Sequence, residues 1–371
     1  MKSIKRILAC VLTLALIFSF AGCHKQGEIA ISFGDVQFTS AVYSLALLNA
    51  DSEARSLVDE ALGATTSIEP VDYLAQTVEG KPYAQWVEET AKEELSKWAA
   101  YRILCKENGV EIEKDVLEQI DDYVEYYYPQ YEALLTANGI GKTSYREMEL
   151  SYAYSDAYFN FLYGEGGSKE VPTEELKKVY DESYRTVFLL YSDLSQFTTE
   201  EEKNKEIERL NGFKKRIDDG EDIVKIYNEF NKLEGDNAVT KQTDVISILA
   251  DAEVDANYGF DDFDKVKEIK TGETAVIDQT STEEHEGHTH TTSYYFVVKV
   301  IDTTDVILDE EEKTTFFDSV KDSIRYNLKE EEFNTMIEEF AKTLTPVINK
   351  RAIKPFTVDK ITYPEQQQQY Y

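Results

Sequence analysis

The spacing of apolar residues changes period twice along this chain, and that change constrains its fold more than any other feature. Val87, Ala91, Leu95 and Trp98 step by four, four and three, which lays one apolar face along a helix ending near Asn108-Gly109. Leu117, Ile120, Val124, Tyr127, Tyr131 and Leu134 repeat the pattern in a second helix, which Pro129 should kink or split. A third helix is predicted over about 144–163, up to the glycines of "GEGG". The period then shortens. "YRTVFLLYSDL" is rich in β-branched and aromatic residues and reads as a strand, and "SYYFVVKVID" is the clearest strand of the chain. Finally Phe317, Val320, Ile324 and Leu328 share one side of a long helix over 309–343.

Smaller elements fill the gaps. "EIAISFGDVQFTSAVYSLALL" predicts a strand, a turn at Gly34-Asp35, a short strand and a helix capped by Thr39 or Ser40. Residues 63–82 read as irregular. Thr173 is the predicted cap of the next helix, residues 200–217 form a charged amphipathic helix, and "DDGEDIVKIYNEF" is a turn and a helix. "DVISIL" and "TAVID" are short strand candidates, and "IKPFTVDKITY" a last one. The fold class expected is therefore α+β: a discontinuous helical domain (30–171 with 303–358) into which a small α/β domain (172–302), an antiparallel sheet with helices, is inserted. The tail, 359–371, with its "QQQQ" run, is expected to be disordered.

The start of the chain reads as a targeting segment. Lys2, Lys5 and Arg6 precede a mostly apolar run over 7–20 that is too short for a membrane span. Phe20-Ala21-Gly22-Cys23 resembles a bacterial lipobox, with Phe20 where leucine is usual. On that reading 1–22 is a signal peptide, Cys23 carries diacylglycerol, and 23–29 is a tether. Two acyl chains hold a protein at a bilayer where one is marginal. The alternative is a secreted protein with a free cysteine near its start. With Cys10 removed and Cys23 lipidated, only Cys105 remains, so no intrachain disulfide is expected and stability must come from packed cores. The formal charge of −33 argues against nucleic acid and against direct adhesion to anionic lipid.

Several stretches, taken in order, resemble the PrsA-like foldase lipoproteins of Gram-positive bacteria. "LCKENGVEIEKDVLEQI" and "LLTANGIGKTSYREMEL" are similar to that family's helix junctions, and "VPTEELKKVYDESY" to its linker helix. "RIDDGEDIVKIYNEF" and "EIKTGETAVID" are similar to parts of its parvulin domain. The resemblance implies a helical region like that of the SurA and trigger-factor chaperones, and an inserted parvulin-type peptidyl-prolyl isomerase. It implies unfolded or newly secreted polypeptides as partners, no cofactor, and a place on the extracytoplasmic face of the membrane. A homodimer stays open. Parvulins carry one histidine in the first strand of the sheet and another in the last; Phe188 and Phe296 stand at the corresponding positions. An X-Pro bond turns over a barrier of about 20 kcal/mol, and phenylalanine can neither donate nor accept the hydrogen bonds of that site. The expectation is a fold kept and an isomerase weakened or lost; an active isomerase using other polar groups is the alternative.

Ten tyrosines fall between 123 and 163, and Tyr127, Tyr131, Tyr154 and Tyr158 are candidates for an aromatic client-binding cradle, against the plainer role of packing helices together. His285, His288 and His290 in "EEHEGHTH" have spacing that zinc or copper could use, which would make the protein a metal- or solute-binding lipoprotein; a solvated hairpin loop is the plainer reading. "GIGKT" at 139–143 lacks a phosphate loop's first glycine, because Thr136 stands there, and a helix is expected before it. The only other histidine is His24, so a histidine-based triad cannot be built.

Overall fold

The structure, a computed structural model, describes residues 27–63, 71–250, 263–285, 288–302, 307–309 and 314–364. The chain divides into two compact units. One takes in the described residues up to Glu170 and again from Glu330; the other is Val171–Lys329. The second unit thus runs past the expected boundary at 302 and takes in the first part of the long C-terminal helix.

The first, helical unit begins with β1 (Ile29–Phe33) and β2 (Val36–Thr39), turned at Gly34, whose φ of +62° suits glycine. Helix α1 (Ser40–Leu62) follows, with Thr39 as its cap: the Val42 N–H donates to Thr39 Oγ1 at 3.3 Å. The stretch expected to be irregular holds a two-stranded ribbon, β3 (Thr77–Val78) and β4 (Lys81–Pro82). Then come α2 (Tyr83–Asn108), α3 (Lys114–Ala137) and α4 (Lys142–Tyr163). Val87, Ala91, Leu95 and Trp98 are all buried on one face of α2, as their spacing requires, against Phe38, Tyr43 and Leu47. Gly109 closes α2 in the left-handed region.

Helix α3 differs from expectation. It runs unbroken through Pro129, which is exposed along with Glu125, so the carbonyl that the proline leaves without a donor faces water. The buried register is Ile120, Val124, Tyr128, then Leu134 and Leu135; Tyr127 is half-buried and Tyr131 is exposed.

The second, sheet unit opens with α5 (Thr173–Ser183), whose N-cap is Pro172 and not Thr173. Strand β5 (Tyr184–Asp193) leads to α6 (Glu200–Asp218), α7 (Ile223–Asn231), β6 (Ile246–Ala250), α8 (Phe263–Lys267), β7 (Thr274–His285) and β8 (His288–Val300). The sheet order is β6-β5-β8-β7 and every pairing is antiparallel. Both faces are covered. Phe188 and Leu190 of β5 join Tyr295 and Val297 of β8 against α6 and α7. Val187, Leu189, Phe296 and Val298 join α8 on the other face.

Strands β9 (Ile307–Asp309) and β10 (Thr314–Thr315) pair antiparallel, so α9 starts at Phe316 and runs to Thr343, not from 309. Its buried residues are Phe316 and Ile324 in the sheet unit, then Phe333, Ile337 and Ala341 in the helical one. Leu328, expected on the apolar side, is exposed. The chain returns to the helical unit as β11 (Val347–Ile348), which pairs with β1, and α10 (Lys350–Ile353). "IKPFTVDKITY" forms a 3-10 turn at Val358–Lys360, not a strand. Residues 361–364 are ordered against the core: the Tyr363 hydroxyl donates to Asp51 Oδ2 at 2.8 Å, and Asn138 brackets Thr362 with two hydrogen bonds. The expected disorder of the tail does not hold for these residues; the rest of the tail lies outside the described ones. The architecture is mixed α and β with small antiparallel sheets.

Candidate functional site

A groove of about 660 Å³ lies in the helical unit where the α2–α3 connection meets α3 and α4. Its position is fixed by Arg102 of α2. That guanidinium donates to Glu147 Oε2 at 2.9 Å, to the Glu147 carbonyl at 3.0 Å and to Ser151 Oγ at 2.9 Å, which clamps α4 onto α2. Ser151 is fully buried there and donates onward to the Glu147 carbonyl. On the side of α3, the Tyr128 hydroxyl donates to the Ile140 carbonyl at 3.1 Å and its ring meets Tyr145 edge-on, holding the α3–α4 corner.

Between these clamps the groove is floored by Val116 and Ile120 of α3, Ile112 of the connection, and Ala153 and Ala157 of α4. Small alanines on α4 leave the space open. Tyr123 and Tyr152 flank it, 42% and 46% exposed, so both rings offer apolar area to an incoming group. Tyr152 also packs edge-on against the buried Trp98 at 6.4 Å, so it stands on the core.

Four carboxylates border the groove: Glu111, Glu113, Glu149 and Asp156. Among the described residues, none of the four has an ion-pair partner, because the nearby cations are engaged elsewhere. Arg146 pairs with Asp121, Lys142 with Glu125, Lys114 with Glu118 and Arg102 with Glu147. Burial pushes Glu149 and Asp156 above the usual carboxylate range, with no cation to offset it. Burial, with Glu94 and Glu149 nearby, pushes the Tyr152 phenol up to about 12.

The tyrosines singled out from sequence divide. Tyr158 is buried against Phe161 and Phe333 and belongs to the core, not to a cradle. Tyr154 is half-buried beneath the Arg102 guanidinium at 5.7 Å. Tyr127 is half-buried in a cluster with Tyr123 and Tyr126, at 4.3 and 4.8 Å between ring centres. Tyr131 is exposed, away from the groove lining. The groove's own tyrosines, Tyr123 and Tyr152, were not among them. A signal was present: Glu149, Tyr152, Ala153, Asp156, Ala157 and Asn160 recur at helical spacing, a face neither apolar enough for core nor polar enough for plain solvent.

In the sheet unit, Phe188 and Phe296 are both fully buried, and the sheet separates them. Phe188 is paired with Lys299 and Phe296 with Tyr191, which puts the two rings on opposite faces, in different cores. They do not come together as the floor of one site. The backbones of His285, His288 and His290 lie at the far end of the β7–β8 ribbon, with His285 opposite His288 and Glu283 opposite His290. The histidines are thus on paired strands rather than in a loop; their side chains lie outside the described residues, as does Cys23. Among the described residues no group of three metal-ligating side chains converges, and no helix is long and apolar enough to cross a membrane.

No family model matches the chain, and no curated protein matches it. Among solved structures it is similar to the foldase protein PrsA from Lactococcus lactis, at 14% identity and a TM-score of 0.36, with 89% of this chain and 99% of that one covered. It is similar also to the foldase protein PrsA from Streptococcus pneumoniae, at 13% identity and a TM-score of 0.29, with 79% and 96% covered.

Proposed function

We propose that the protein is a folding factor outside the cytoplasm, held at the membrane by lipid on Cys23, that shields apolar segments of unfolded secreted chains in the groove of its helical unit. The observation that carries this reading is the groove itself: an apolar floor flanked by two half-exposed tyrosines on a clamped framework. Reversible burial of apolar side chains needs no cofactor and is worth about 25 cal/mol per Å² removed from water. The leader, with its lipobox-like junction, supports the location. The sheet unit is read as a parvulin-like fold whose isomerase chemistry is weak or lost, because neither Phe188 nor Phe296 supplies a hydrogen-bonding group; since the sheet separates the two rings, at most one of them stands at the floor of a single site.

Two assays on the purified protein test this together. Aggregation of a reduced, unfolded protein should slow in its presence, and Tyr123→Ser with Tyr152→Ser should weaken that effect by about tenfold. Isomerisation of short X-Pro peptides should stay at background in a sample shown to be folded. Acceleration that survives a chelator would overturn the inactive assignment. Acceleration lost on chelation would shift attention to His285, His288 and His290.

A further inference from the structure

The groove is uncompensated in charge as well as in apolar surface, and the two together define an occupant. We infer that it selects polypeptide segments in which lysine or arginine alternates with apolar side chains. This rests on the polypeptide-holding function proposed above and adds which segments are held. The apolar floor of Val116, Ile120 and Ala153 can take aliphatic or aromatic side chains. Around it stand Glu111, Glu113, Glu149 and Asp156, with no cation of the chain's own within pairing distance among the described residues. Elsewhere on the same helices, acids such as Glu118, Asp121, Glu125 and Glu147 each have a partner. Exposed acids elsewhere on α3, Asp115, Asp122 and Glu132, also have no ion pair among the described residues; what sets the groove's acids apart is that they stand unpaired beside an apolar floor, where an incoming cation with an apolar stem can meet both.

The long aliphatic stem of a lysine or arginine suits this geometry, because it can lie along the apolar floor while its head reaches the acids at the edge. An acidic segment would meet like charges in a partly dehydrated setting and be rejected. The whole chain, at −33, adds a long-range field of the same sign, which favours encounter with basic segments at low salt.

The test uses three short unstructured peptides with identical apolar residues, interleaved with lysine, glutamine or glutamate, and reads binding to the purified protein by fluorescence anisotropy. The lysine peptide should bind about tenfold more tightly than the glutamine peptide, the glutamate peptide more weakly than either, and the spread should narrow as salt rises. Glu149→Gln with Asp156→Asn should abolish the lysine preference, bringing the lysine and glutamine peptides to similar affinities. Glu149→Lys with Asp156→Lys should turn the preference toward the glutamate peptide, a gain that a misfolded protein would not show. Equal affinity for all three peptides, or a preference that neither variant moves, overturns the charge selection and leaves the holding function standing. Failure of all three to bind, in a folded sample, overturns both.

Discussion

The two units treat their carboxylates in opposite ways. In the sheet unit, every carboxyl group with a resolved shift among the described residues is held below its ordinary range. Glu221 lies at about 2 beside Arg216 and Lys225, and Asp318 at about 2 on the Thr315 N–H and Lys321. Glu202, Glu206, Asp218 and Glu229 follow the same pattern. The helical unit has lowered carboxyls too, Asp35, Glu89 and Glu338, each paired with a lysine. Among the described residues it alone also has raised ones: Glu94, Glu149 and Asp156, all pushed up mainly by burial. In the sheet unit each of these shifted carboxyls is held by a cation or a hydrogen bond; in the helical unit Glu149 and Asp156 are pushed the other way beside a concave surface, which is what a binding surface requires and what stability alone would disfavour.

The comparison can be broken most forcefully at the sheet. Phe296→Ala removes a fully buried ring from a core closed on both sides and should cost about 3–5 kcal/mol of that unit's stability. Urea unfolding should show the sheet unit melting earlier while peptide binding at the helical groove persists; loss of both at once would mean that the two do not behave separately.

A smaller effect should separate the units by pH. Burial pushes Glu94 up to about 7, against a hydrogen bond from Asn49 at 3.1 Å that favours its ionised form. Its folded pKa exceeds its unfolded one, so its contribution is fully present below about pH 4.5 and is lost as pH rises through about 7. Glu94→Gln should therefore gain on the parent protein by roughly 2 kcal/mol between pH 5 and pH 8, read from urea midpoints. Glu221 and Asp318 have the reverse sign: their contributions are present above about pH 4.5 and are lost as pH falls toward 2. The sheet unit should accordingly unfold at a lower temperature in acid, where Glu94 favours the helical one.

The smallest effect expected is at a helix end. Thr199 and Glu202 form a reciprocal capping box on α6, with Glu202 Oε2 accepting from the Thr199 N–H at 3.1 Å. Thr199→Ala should cost about 1 kcal/mol, confined to the sheet unit and visible as an earlier transition there.

How much of this was legible in the sequence depended on whether one face of an element decides its environment. The α2 stripe and β8 were readable because each buries a strongly apolar pattern at its natural period. In α3 the stripe was read one residue off beyond Val124, since five tyrosines between 123 and 131 offer no contrast and Tyr128 was as plausible as Tyr127. Leu328 was misread because α9 serves two cores in turn: Phe316 and Ile324 in one, Phe333, Ile337 and Ala341 in the other. The substitution at Phe188 and Phe296 was visible; their separation was not, because the face each takes depends on strand register, which pairing alone sets. The groove was hidden for a similar reason. Its unpaired acids stand beside an apolar floor made by two helices and their connection, and that is a fact of tertiary placement.

The C-terminal return also sets an order of events. Strand β1 pairs with β11, and Tyr363 reaches back to Asp51 across 312 residues. A chain made or exported from its N-terminus can complete the sheet unit, which ends at Lys329, while the helical unit still lacks its third strand and one of the three partners of its buried Asp51, the other two being Arg55 and Tyr83. Loop closure over that span adds to the entropic cost of finishing. The first strand, already held by β2 and the core, thus gains its outer partner last. Loss of a short stretch at the far end would then disturb the beginning of the protein out of proportion to its length.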